Sequence, residues 1–283
     1  MPAAGDARLG WRTLRASQWP HFLVIPALPL HGLLVAHPAE TVLRGAAGAC
    51  VAALCLGFAY GVNAIADREA DASDHKNPLA GRDQVPSSAW AAAVGSGVAA
   101  VGIAMLISRW LSPLAAALSL LASAAYSLGP RLKRWPVIGT LTNWGIFIPL
   151  ALLERVPYDA NTGLLLATFA TLLTQSQLVH ETGDLAEDRR SGVRSTAVVL
   201  GPAGAMRAAG ALGGIVALGI VCFSGVNRES LVAAVTVAAC GAWLARAPVD
   251  DAASARRQHR WLAFALGGAL YLLVVWSESV TRS

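Results

Sequence analysis

Apolar residues run through this chain in long blocks, unlike the narrow apolar stripe of a soluble amphipathic helix. The blocks cover residues 19–36, 46–66, 88–107, 111–128, 137–154, 163–182, 206–224, 230–246 and 260–277. Each approaches the ~20 residues that cross a bilayer as helix. Hydrocarbon offers no partner to backbone N–H and C=O groups, so helix is the form such blocks take. Polar residues gather between them. The pattern predicts an all-α polytopic membrane protein, a bundle of about nine transmembrane helices around a central cavity, folded as a single domain over residues 1–283. Spans 1 to 4 and 5 to 9 are expected to form its two halves, and stretches such as "AAAVGSGVAAVG" favour close helix contact.

Composition agrees. The chain is 55% hydrophobic and 14% charged, with mean hydropathy +0.53, far from a soluble average. Charge then orients the spans. With nine spans and an inside N-terminus, the inner segments hold Arg8, Arg12, Arg15, Arg68, Lys76, Arg82, Arg131, Lys133, Arg134, Arg189, Arg190, Arg194, Arg207, Arg246, Arg256, Arg257 and Arg260. The outer segments hold Arg44, Arg109, Arg155, Arg228 and Arg282, so 17 of the 22 basic residues fall inside, as the positive-inside rule requires. The first apolar block is longer than a signal-peptide core and no A-x-A site follows it, so it reads as span 1. The pI near 9.4 reflects these juxtamembrane bases and not nucleic-acid binding. Cys50, Cys55, Cys222 and Cys240 lie scattered in apolar spans, without zinc spacing or a disulfide framework.

Two acidic clusters break the apolar pattern. "NAIADREAD" follows span 2 and carries Asn63, Asp67 and Asp71; "HETGDLAED" ends span 6 and carries Glu181, Asp184 and Asp188. Helical residues four apart share a face at about 6 Å of rise, so each Asp pair forms a carboxylate ladder. A single D-x-x-x-D is usually a solvated helix face. Two of them at the cytoplasmic ends of apolar spans, each followed by basic residues, are expected to face each other as a divalent-metal cage. Basic loops complete the chemistry: "SDHKNPLAGRDQVP" with Lys76 and Arg82, "YSLGPRLKRWP" with Tyr126, Arg131 and Lys133, and "RRSGVRSTA" with Arg194. Acids that hold Mg²⁺, ringed by bases that hold phosphate oxygens, describe a diphosphate site. His180, one turn before Asp184, either lines that site or hydrogen-bonds at the helix end.

Taken together these motifs resemble the UbiA superfamily of intramembrane prenyltransferases. "NAIADREAD" is similar to its N-D-x-x-D-x-x-x-D motif, "DLAEDRRSGVRSTA" to its second D-x-x-x-D motif and tail, and "YSLGPRLKRWP" to its Tyr and Lys loop. Ala64 stands where the family has its first Asp, and Asn77 where many members have the Arg of R-P-L. The resemblance implies transfer of an isoprenyl group from an allylic diphosphate to an aromatic or other lipophilic acceptor, with the long prenyl tail entering from membrane lipid. Asn63, Asp67, Asp71, Glu181, Asp184 and Asp188 would hold Mg²⁺. Lys76, Arg82, Arg131, Lys133 and Arg194 would hold the diphosphate, and Tyr126, Lys133 and Arg131 would serve ionisation. The implied setting is a bacterial plasma membrane with the site on its cytoplasmic side. A terpene cyclase shares the ionisation step and differs in quenching the cation within its own substrate. A cation-coupled transporter would use the acids but not the surrounding bases. The D-G-x-x-A-R sequence of phosphatidyl-alcohol transferases does not lead into either cluster.

Overall fold

The structure, a computed structural model, describes residues 4–71, 77–154 and 156–282. Among these residues every regular element is helical. In chain order they are α1 (Ala4–Thr13), α2 (His31–Ala36), α3 (Pro38–Ala66), α4 (Ser87–Ile107), α5 (Leu111–Ser127), α6 (Ile138–Phe147), α7 (Ala160–Gly183), α8 (Leu185–Ser191), α9 (Thr196–Leu200), α10 (Pro202–Ser224), α11 (Arg228–Arg246) and α12 (Ala252–Arg282). Six of them, α3, α4, α7, α10, α11 and the region of α12, are long and apolar enough to cross a bilayer. This is an integral membrane protein.

The other three apolar blocks are shorter or broken. Residues of the first block form 3₁₀ turns over Pro20–Phe22 and Ile25–Leu30 before α2; Pro20, Pro26 and Pro29 each lack the N–H that a continuous helix would need. The fifth block runs as α6 and then as a 3₁₀ turn over Ile148–Leu152, with Pro149 at its start. α5 is regular but has 17 residues.

The chain divides into two compact units, the first of Met1–Leu30, Ala39–Lys133 and Gly145–Arg155. Here α1 packs on α4, α4 on α5, and the turns over Ile25–Leu30 and Ile148–Leu152 pack together. A core of Leu9, Val62, Ala64, Ile65, Leu79, Ala89 and Ala93 sits under the C-terminal end of α3. Ser112 and Ser119 of α5 donate to the carbonyls of Leu153 and Ile146, and the second bond supplies a partner where Pro149, three residues on, offers no N–H.

The second unit comprises His31–Pro38, Arg134–Trp144 and Val156–Ser283. α7 is its axis, touched by α10, α11 and α12. α10 and α11 cross so closely that a Cβ at Gly213 would collide with the Val237 carbonyl, and one at Gly241 would stand 2.9 Å from the Ala209 carbonyl. Buried Gln175 of α7 uses that crossing, donating to the carbonyls of Ala209 and Val237 at 3.3 and 3.0 Å. At the other end of α7, buried His31 bridges three elements. Its Nδ1 lies 2.6 Å from Glu278 Oε1, and its Nε2 lies 3.0 Å from Thr162 Oγ1 and 3.4 Å from Asp159 Oδ1. Asp159 also caps α7 by accepting from the Thr162 amide at 2.8 Å.

Candidate active site

In the first unit, α3 is assigned as ending at Ala66, but its hydrogen bonding continues: the Asp67 amide donates to the Asn63 carbonyl at 3.0 Å and the Asp71 amide to the Asp67 carbonyl at 2.9 Å. Asn63, Asp67 and Asp71 are thus successive rungs at helical spacing. Asp67, with a side chain 14% exposed, receives Lys133 on Oδ1, and Arg131 Nη2 approaches the same oxygen at 3.3 Å. Arg131 reaches it from a backbone at φ 47, a conformation that strains a side-chain-bearing residue. Burial pushes the Lys133 ammonium below the ordinary lysine value, against the opposite pull of Asp67. Asn63 Oδ1 accepts from Ser127 Oγ at 3.2 Å. Tyr126, the residue before Ser127 on α5, is partly exposed, and Arg82 is exposed in the loop before α4. Lys76 lies outside the described residues.

The two departures from the motif have a structural account. Ala64 is fully buried in the apolar core at the end of α3, in one cluster with Leu9, Leu79, Ala89 and Ala93. An Asp there would be enclosed by apolar side chains. Asn77, also fully buried, donates from Nδ2 to Asp71 Oδ2 at 2.8 Å and to the Ala64 carbonyl at 2.9 Å, while its Oδ1 accepts from the Leu79 amide. It thereby ties the Asp71 carboxylate to the end of α3. Arg15 is a further cation here, with Nη2 4.0 Å from Asp71 Oδ2.

In the second unit, α7 gives way to α8 at Asp184, and the Asp188 amide donates to the Asp184 carbonyl at 2.9 Å, so this ladder also keeps helical spacing. Gly192 at φ 71 ends α8. The Val193 amide returns to the Asp188 carbonyl at 2.9 Å, a six-to-one closure of the kind that needs a left-handed residue. The chain then presents Arg194, exposed, before α9. Arg256 donates from Nη1 to His180 Nδ1 at 2.9 Å, and His180 Nε2 faces Asp184 Oδ2 at 3.5 Å. Glu181 is buried, with Thr140, Gln177 and the Ala197 amide on its oxygens.

Each unit therefore offers hard oxygen donors, carboxylates in both and the Asn63 amide in the first, which is the donor set that suits Mg²⁺. The first also gathers the cations Arg15, Arg131 and Lys133 beside its carboxylates. Sequence reading missed Arg15, Ser127 and the part played by Asn77. Arg15 and Ser127 act across 56 and 64 residues of chain, which no local spacing reveals. Asn77 stands six residues from Asp71 and was in view.

Residues 23–276 match the model of the UbiA prenyltransferase family. A lycopene elongase/hydratase of Corynebacterium glutamicum is 31% identical over 161 residues, which is 52% of this chain and 55% of the relative; the chain thus matches about half the length of that curated relative. The fold is that of a UbiA homolog from Archaeoglobus fulgidus. Its structure bound to DMAPP and Mg²⁺ aligns with a TM-score of 0.68 at 18% identity, covering 92% of this chain and 99% of that one. The same homolog bound to GPP and Mg²⁺ aligns with a TM-score of 0.66, also at 18% identity, covering 93% and 99%.

Proposed function

The chain belongs to the UbiA prenyltransferase family, and from that premise we propose that it moves an isoprenyl group from an allylic diphosphate to a lipophilic acceptor on the cytoplasmic side of a bacterial plasma membrane. The observation that carries the reading is the meeting of Lys133 and Arg131 on one oxygen of Asp67, within the Asn63 to Asp71 ladder. Bases beside carboxylates at a membrane protein's helix end suit a site that must hold metal and diphosphate together.

Asn63, Asp67, Asp71, Asp184 and Asp188 would hold Mg²⁺, which when bound supplies positive charge to the departing diphosphate oxygens. Lys133 and Arg131 neutralise the same leaving group, joined by Arg194, Arg82 and Lys76. Asn77 keeps Asp71 oriented, and His180 with Arg256 behind it does the same for Asp184. The allylic C–O bond breaks with its electron pair going to diphosphate. The acceptor's π electrons then form the new C–C bond, and the acceptor loses a proton. Tyr126 is assigned to the allylic cation, since an aromatic face stabilises positive charge, and the apolar bundle excludes water that would quench it. An electron-rich aromatic ring is the first acceptor class. A polyene hydrocarbon is the second, favoured by the relative named lycopene elongase/hydratase.

The test is to incubate the purified chain with Mg²⁺ and dimethylallyl, geranyl, farnesyl or geranylgeranyl diphosphate, with phenolic, polyene or no acceptor. Products are identified by mass. Diphosphate release should require an acceptor, stop in EDTA and return with Mg²⁺, and Asp188→Asn should lose turnover by orders of magnitude. Full turnover in chelator would refute the reading. Hydrocarbon products without acceptor would replace it by a terpene cyclase.

A further inference from the structure

Glu181 belongs by sequence to the acidic cluster that ends α7, yet its surroundings set it apart. It is 6% exposed, whereas Asp184 and Asp188 are only half-buried. Its Oε1 accepts from Thr140 Oγ1 at 2.8 Å and from Gln177 Nε2 at 3.3 Å, and its Oε2 accepts from the Ala197 amide at 3.3 Å. Counting hydrogens gives these contacts a direction. A hydroxyl has one hydrogen to donate, and Thr140 directs its own to Glu181. In the 2.7 Å contact between Thr140 and Thr196, Thr196 is therefore the donor. Thr196 in turn accepts from the Val137 amide at 2.9 Å. The result is one directed chain from the Val137 amide through Thr196 and Thr140 to Glu181, every hydrogen pointing toward the carboxylate, an arrangement in which each bond strengthens the next.

We propose that Glu181 is a positioning residue and not a metal ligand: its carboxylate ties the C-terminal end of α7 to α6 and to the start of α9, and so fixes Arg194 relative to Asp184 and Asp188. Residues 193–196 form a short strap pinned at both ends. One end is the Val193 amide on the Asp188 carbonyl, and the other is the Ala197 amide on Glu181. Arg194 is the exposed residue at its middle, between buried Val193 and Ser195. Thr140, Gln177 and the amides of Ala197 and Thr196 all donate to the carboxylate, which occupies its four lone pairs. A ligand role would need one of those donors to let go, in a side chain far more deeply buried than the half-buried Asp184 and Asp188.

The inference rests on the reading of Asp184, Asp188 and Arg194 as metal and diphosphate ligands, but its test has an arm that does not. Amide hydrogen exchange of residues 193–197 is measured without metal or substrate in the intact chain and in Glu181→Gln, Thr140→Val, Thr140→Ser and the Glu181→Gln/Thr140→Val double variant. Exchange should quicken by about tenfold or more in Glu181→Gln and Thr140→Val, and Thr140→Ser, which keeps the hydroxyl, should behave as the unaltered chain. In turnover, KM for dimethylallyl diphosphate should rise about tenfold in both single variants, with the Mg²⁺ concentration for half-maximal rate unchanged. The double variant should be no worse than the worse single one, because both cut the same chain of bonds. A raised Mg²⁺ requirement in Glu181→Gln with Thr140→Val silent would make Glu181 a ligand and overturn the proposal, as would additive losses or unaltered exchange. If the unaltered chain turns over no allylic diphosphate, the functional reading fails while the exchange arm still decides the clamp.

Discussion

At the scale of single residues, the most instructive position is Ala64. Counted along the motif it is a missing carboxylate; placed on the helix it is a core residue, fully buried among Val62, Ile65 and Leu79. Ala64→Asp should therefore give no tighter Mg²⁺ binding. It should instead lower thermal stability markedly, because an unpaired carboxylate is forced into apolar surroundings. Improved metal affinity with unchanged stability would refute this placement. Spacing alone does not reveal this, because position 64 stands three residues before Asp67 and seven before Asp71 and so lies on nearly their side of the helix; its place in the core beside Leu9, Leu79 and Ala93 is a matter of tertiary packing. Glu181 is a parallel case. It lies three residues from Asp184, so proximity groups it with the ladder, but its partner Thr140 stands 41 residues away. No short-range pattern reveals such a contact, because only the packing of α6 on the end of α7 creates it.

At the scale of elements, the apolar blocks located every long helix, and the ladders emerged at the helical spacing that their sequence predicts. What the blocks did not reveal is where helix fails inside them. Hydropathy treats Pro20, Pro26, Pro29 and Pro149 as neutral members of an apolar run, whereas the backbone treats each as a lost donor. The start of α7 carries a prediction of its own. Burial would raise the Asp159 carboxyl, but hydrogen bonds from Thr162 and the nearby His31 outweigh it and hold the group below its ordinary value of 3.8. Asp159→Ala should cost about 1 kcal/mol at neutral pH through loss of the cap, the charge itself being more than half exposed and screened. A carboxyl whose native pKa is depressed stabilises above its unfolded value and loses that contribution as pH falls through the native one. The difference in thermal stability between the unaltered chain and Asp159→Ala should accordingly narrow below about pH 4. A gap that stays constant on acidification would show that the ionised form contributes nothing.

At the scale of the molecule, the charge bias and the long helices together predict an orientation that can be measured. Ser191 and Val226 lie on either side of α10, whose 23 residues rise about 35 Å, enough to cross a bilayer once. With Cys50, Cys55, Cys222 and Cys240 replaced, Ser191→Cys should react with an impermeant thiol reagent only from the cytoplasm, and Val226→Cys only from outside. Labelling of both from one side would overturn the topology. The crossing of α10 and α11 has an evolutionary consequence. Gly213, Gly241 and Gln175 occupy one another's space: the Gln175 amide fills the volume that a side chain at either glycine would claim, and its bonds need the two carbonyls at that spacing. None of the three can drift alone. A relative that lacks one should lack the others too, with its helices set farther apart, so among related sequences these three positions should change as a set while the lipid-facing positions around them vary freely.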